Sequence, residues 1–143
     1  MEDRDQPSAI DEITKLVIRY VDGFAGDPRA TARFYALPMI FVGPDSVTVI
    51  ATRKEPVAFV ENILEQLRPI GFSHSTVERC FVRLLKPSIA LCCMEGTRRR
   101  ADGSSIARIG ATYVLTAQPD WRIRELIATD PENVGPLPPH SGR

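Results

Sequence analysis

Apolar residues near the start of the chain recur at spacings of three and four: Ile10, Ile13, Leu16, Val17, Tyr20, Val21 and Phe24. Side chains at that period share one helix face, so the pattern predicts an amphipathic helix beginning at Ala9. Ser8 is its expected N-cap, and Asp11 and Glu12 fall in the first turn, where the helix dipole favours acidic groups. Gly23 and Gly26 close it. Asp27 and Pro28 then open a second, shorter helix, with Asp as cap and Pro at the first helical position, running to about Tyr35 until Pro38 ends it. Met39 to Val42 and Val47 to Ala51, joined by Gly43-Pro44-Asp45-Ser46, read as a small hairpin. The helical period returns from Lys54 to Leu67, with Val57, Phe59, Val60, Ile63, Leu64 and Leu67 on one face, and Arg68-Pro69-Ile70-Gly71 stops it.

Beyond Gly71 the period changes. Ser73 to Leu85, Ser88 to Arg100, Ser104 to Ala117 and Trp121 to Thr129 are rich in β-branched and aromatic residues, and their separators are short and turn-like. Long strands joined by short turns predict an antiparallel meander, and strands of this length twist and curl. Helices followed by such a sheet make an α+β fold: a curved antiparallel sheet forming a cone, with three helices of the N-terminal half packed on its concave face. The expected organisation is a charged, unordered N-terminus over 1–8, one domain over 9–130, and a Pro-rich tail over 131–143 without regular structure. The convex face of the sheet would still carry apolar residues, so a homodimer through that face is the expected state.

Composition narrows the partners. At 143 residues the chain suits one domain with a core of its own. Lys plus Arg and Asp plus Glu both number 18, giving a formal net charge of zero, which argues against nucleic acid or an anionic membrane as the main partner. The run Arg98-Arg99-Arg100 is the one local excess, read as a solvated strand end, with phosphate binding as the alternative. Cys80, Cys92 and Cys93 have neither metal nor disulfide spacing and read as buried thiols of a reducing compartment. The polar N-terminus has no apolar signal core and no stretch is long enough to span a bilayer, so a cytoplasmic location is expected. Neither a metal nor a cofactor is expected.

Two strings carry a family resemblance. "LVIRYVDGFAGDPRATARFYA" resembles the opening helix pair, and "IGATYVLTAQPDWRIREL" the last two strands, of the NTF2-like superfamily, which includes the SnoaL-like polyketide cyclases and ketosteroid isomerase. The resemblance covers about residues 9 to 130 and implies a cystatin-like cone enclosing a pocket. It says little about function, because such a fold hosts isomerases, dehydratases, hydrolases, cyclases and non-catalytic assemblies.

The family's isomerases place an oxyanion-hole tyrosine late in the first helix, where Tyr20 falls. Their general-base carboxylate corresponds here to Gly43, and their second oxyanion donor falls near Ala111. Proton transfer needs a titratable group within hydrogen-bond reach. Neither Gly43 nor Ala111 supplies one. If Ala111 faces the cone, alternation turns Ile109, Tyr113 and Leu115 inward with it. The catalytic candidates are then Tyr20, His74 and Glu125. His74 is the histidine inside the folded region, read as either a base at the pocket mouth or an exposed strand end. Glu125 lies where relatives often carry a cavity-facing polar residue. Glu78 and Glu95 are read as partners of Arg79, Arg83, Arg98 or Arg108 across the strands, with a carboxylate projecting into the cone as a candidate acid or base the alternative. Phe24, Tyr35, Phe41, Phe59, Ile109 and Tyr113 are the expected ligand contacts. A small, largely apolar molecule is the expected ligand, with isomerase, cyclase or dehydratase chemistry as one reading. The alternative is a non-catalytic dimeric binding or assembly module whose aromatic residues fill the cone.

Overall fold

The computed structural model of the chain describes the backbone of residues 2–136 and the side chains of residues 8–136. The first helix, α1, is Glu2–Gly23, so it begins earlier than Ala9, and Ser8 lies inside it rather than at its cap. Of the predicted stripe, Ile13, Leu16, Val17, Tyr20 and Val21 are buried and Phe24 partly so, whereas Ile10 is exposed. Asp27 caps the second helix, α2 (Pro28–Ala32), its carboxylate accepting from the Arg29 N–H at 3.0 Å. That helix is shorter than predicted, because Tyr35 already starts the first strand, β1 (Tyr35–Val42).

Pro38 therefore sits within a strand instead of ending a helix. Pairing of β1 with its neighbour is interrupted between Tyr35 and Ile40, where the missing N–H of a proline costs no ladder bond. The hairpin partner β2 (Val47–Ile50) follows, and Gly43 N–H donates to the Ser46 carbonyl at 2.9 Å across the turn. The third helix, α3 (Glu55–Leu67), buries Val60, Leu64 and Leu67. Its start is tied by Glu55, whose Oε1 accepts from the backbone N–H groups of Ala51 and Thr52 and from the Thr52 hydroxyl.

Four long strands complete the chain: β3 (His74–Lys86), β4 (Ile89–Arg99), β5 (Ser105–Ala117) and β6 (Trp121–Thr129). Each agrees with its predicted span to within a residue or so. Two glycines make the sharp turns in the left-handed region, Gly71 before β3 (φ 88°) and Gly103 between β4 and β5 (φ 87°). The sheet has six strands in the order β2-β1-β6-β5-β4-β3. The meander β3 to β6 is antiparallel throughout, as expected. One pair is not: β1 runs parallel to β6. A parallel pair needs a long crossover, here α3 together with the whole meander.

Register fixes the two faces. Val82, Cys92 and Tyr113 form one inward row, and Cys80, Met94 and Ala111 the next. These pack with α1 and α3 into a single core. Strands β4 and β5 also approach neighbouring backbone closely. A Cβ on Gly110 would run into the Thr129 carbonyl oxygen, and one on Gly96 would lie 2.8 Å from the Thr76 carbonyl oxygen. Strand β6 carries one irregularity: Val114 pairs with Glu125 and Leu115 with Ile123, so Arg124 is an extra residue bulged out of the ladder. His140 and the rest of the Pro-rich tail from residue 137 lie outside the described residues.

Candidate functional site

An open cavity of about 720 Å³ lies between the concave sheet face and the helices. Tyr20, Val21 and Phe24 enter it from the end of α1, and Phe59, Asn62, Ile63 and Gln66 from α3. Phe41 comes from β1, and Met94, Ile109, Ala111, Tyr113 and Leu126 from the sheet. An aromatic cluster shapes this wall. The Tyr20 ring meets Phe24, Phe34, Tyr35 and Tyr113 edge to face at centroid distances of 5.6 to 5.9 Å, and Phe59 packs on Phe41 at 5.3 Å. Edge-to-face geometry aligns ring quadrupoles and holds the rings in place.

The three hydroxyls in this cluster differ in their partners. Tyr20 and Tyr35 share a hydrogen bond of 2.6 Å between their hydroxyls. No described residue hydrogen-bonds the Tyr113 hydroxyl, although the residue is only 2% exposed and lines the cavity. Burial raises the pKa of all three phenols, and for Tyr35 the neighbouring Tyr20 raises it further. Each is a neutral O–H donor at neutral pH, not a base.

The mouth is polar. Arg98 lines it with Ser75, Arg108, Thr129 and Asp130. Arg98 forms no hydrogen bond or ion pair with a described residue, and burial lowers its pKa. A guanidinium retains its charge despite such a shift. It is thus a half-buried cation at the cavity mouth without a counter-ion.

Of the sequence candidates, Tyr20, Phe24, Phe41, Phe59, Ile109 and Tyr113 line this cavity together. Three do not. Tyr35 stands behind Tyr20 and faces a second cavity. His74 is absent from the lining; its neighbour Ser75 points in, and its own Nδ1 lies 3.1 Å from Ser73 Oγ. Glu125 is absent as well, because the bulge at Arg124 shifts the strand phase and turns Leu126 inward in its place. Gly43 lies outside the lining too, and a Cβ there would come within 3.1 Å of the Phe41 ring.

Both glutamates lie against arginines, Glu95 with two of those expected and Glu78 with Arg99, which is not among them. Glu95, only 8% exposed, accepts from Arg79 and Arg108 at 2.8 Å each, and both arginines hold its carboxyl below the usual range. Glu78 accepts from Thr76 at 2.6 Å and lies 3.5 Å from Arg99. The triple-arginine run splits by alternation: Arg98 faces the cavity, Arg99 bonds Thr76 and the Gly103 carbonyl, and Arg100 bonds the Ser105 carbonyl. Counting alternation back from Ala111 through its partner Met94 would have found Arg98. Cys80 and Cys92 are free thiols with sulfurs 3.3 Å apart. Among the described residues there is no cluster of three or more histidine, cysteine or acidic side chains able to hold a metal. Nor is any helix long and apolar enough to cross a membrane.

Similarity to known structures is broad and distant in sequence. An NTF2-like protein with a cystatin-like fold from Novosphingobium aromaticivorans shares 16% identity, covering 89% of this chain and 85% of that one, with a TM-score of 0.67. Aln2 from a Streptomyces species shares 14% over 88% and 93%, with a TM-score of 0.69. The yeast UBP3-associated protein BRE5 shares 14% over 82% and 92%, with a TM-score of 0.63. Identities this low establish the fold alone. No curated protein matches the chain in sequence. The family described as "NTF2-like protein (DUF6841)" matches residues 10–131. With that span and a six-stranded curved sheet over three helices, the chain belongs to this NTF2-like family.

Proposed function

We propose that the chain is a small-molecule-binding cup whose ligand has a largely apolar body, a hydrogen-bond acceptor at its inner end and one acidic group at its outer end. The observation that carries this reading is the lining itself: an aromatic and aliphatic interior with an unpartnered Tyr113 hydroxyl inside and an uncompensated Arg98 at the mouth. Its volume of about 720 Å³ suits a ligand of ordinary metabolite size. The aromatic residues leave the space open instead of filling it. Ketosteroid-isomerase-like proton transfer has no support, because that chemistry needs a base at the reacting carbon. The position that would provide one is Gly43, and the substitute candidates His74 and Glu125 lie outside the lining.

The test uses 8-anilinonaphthalene-1-sulfonate, an aromatic body with one anionic group, titrated by fluorescence. Saturable binding at one site per chain is expected. Arg98→Met keeps the stem and removes the charge, a loss of about 1.5–3 kcal/mol for a charged hydrogen bond, or roughly tenfold and upward in affinity. Ile109→Trp, which fills the cavity from the sheet, should abolish binding. Unchanged titrations in both variants would refute the cup.

The same reading includes a homodimer through the outer sheet face, where Phe81, Leu91, Val114 and Ile127 stand half-buried on adjacent strands. A strictly monomeric mass by light scattering at micromolar concentration would remove the dimer and leave the cup untouched.

A further inference from the structure

A second cavity, of about 670 Å³, opens at the other end of the β5–β6 hairpin, where β6 begins and β5 finishes. Five arginines line it: Arg29 from α2, Arg33 just beyond it, Arg53 from the segment between β2 and α3, and Arg122 and Arg124 from β6. Asp120 is the one carboxylate in the lining. The chain as a whole is neutral, so this excess is local and not a reflection of net charge.

The contrast with the long strands is informative. In them Arg79, Arg99 and Arg108 each lie against a glutamate. In this cavity no described residue forms an ion pair with Arg29, Arg33, Arg53 or Arg122. Four unneutralised guanidiniums from three parts of the chain gain nothing for folding by converging, since like charges repel. A guanidinium stays charged at any physiological pH and presents a planar fork that fits phosphate or carboxylate oxygens in pairs. A concave surface of one sign concentrates counter-ions further.

The cavity also has fixed parts. Arg124, raised out of the ladder by the bulge, donates to the Pro38 carbonyl at 2.9 Å and to Gln118 Oε1 at 3.2 Å, so its cationic head is held in place. Thr116 contributes to the same wall, and its hydroxyl is fully buried without a hydrogen-bond partner among the described residues.

We propose that this basal cavity is a binding site for a small polyanion carrying clustered oxyanion groups, as in a diphosphate or a polycarboxylate, independent of the apolar cup. The small extent of the cavity favours a small molecule over a membrane or a nucleic-acid duplex, both of which need a broad basic surface.

Inorganic pyrophosphate titrated calorimetrically into the full chain at low salt tests the site, with citrate run in parallel. Saturable binding of one anion per chain is expected. The double variant R33Q/R122Q alters two exposed side chains and should weaken that binding at least about tenfold. R19Q/R68Q removes the same charge from exposed positions elsewhere and should leave it unchanged. Melting curves of both variants confirm that each is folded. Support comes from pyrophosphate alone, which assigns a phosphate ligand, or from citrate matching it, which assigns any clustered oxyanion. The proposal is overturned by absence of saturation, by equal weakening in both variants, or by a DNA duplex competing as well as pyrophosphate, which would indicate a nucleic-acid surface.

Discussion

Removing the hydroxyl of Tyr20 alone isolates the bond at the heart of the aromatic cluster. Tyr20 and Tyr35 are 4% and 2% exposed, and their hydroxyls meet at 2.6 Å. Tyr20→Phe keeps the ring and its edge-to-face contacts but strands the Tyr35 hydroxyl in the core. A buried polar group without its partner costs about 1–3 kcal/mol, while deleting both partners is nearly neutral. The single variants should each lose about that amount, and the double variant should recover most of it. The expected coupling energy is about 1 kcal/mol or more, above the roughly 0.3–0.5 kcal/mol scatter of independent sites. At this chain length each kcal/mol moves the melting temperature by about 3 °C, so urea denaturation or calorimetry of the four proteins resolves the cycle. Additive losses would mean that the two hydroxyls find water or other partners, and that the 2.6 Å contact contributes no net stability.

Two further outcomes follow from the sheet. Arg108 and Arg79 depress the pKa of Glu95 in the folded state, so its contribution to stability is complete above the unfolded value near 4.5 and is lost as pH falls through the folded value. Stability of the wild type should therefore fall more steeply on acidification than that of Glu95→Gln, and parallel pH profiles by denaturant melts would contradict the assignment. Gly110→Ala should destabilise by about 1–3 kcal/mol, because the added methyl meets backbone and not a movable side chain; an unchanged melting temperature would show that β6 can retreat at no cost.

Much of the architecture is legible because local chemistry and global fold agree. Turn residues at Lys86-Pro87, Ala101-Asp102-Gly103 and Gln118-Pro119-Asp120 bound the meander, and β-branched runs fill the strands between them. The inward row Ile109, Ala111 and Tyr113 follows from a period of two, and all three line the cup. Sequence reading fails where that period breaks or where contacts are distant along the chain. Pro38 reads as a helix stop, yet an interruption in the β1–β6 ladder accommodates it within a strand. An unbroken period would aim Glu125 inward, and the bulge interrupts it. Arg29, Arg33, Arg53, Arg122 and Arg124 are scattered along the chain, and only closure of β1 against β6 gathers them.

The extra residue at Arg124 acts as a parity switch. Upstream of it, odd-numbered positions of β6 look into the barrel-like hollow; downstream, even-numbered ones do. Were the strand to run without that hiccup, Leu126 and Ala128 would trade places with Glu125 and Ile127, and an acid would enter a chamber that now has none in its depths. In this scaffold a single residue of strand phase thus decides whether a leucine or a carboxylate faces the concave side.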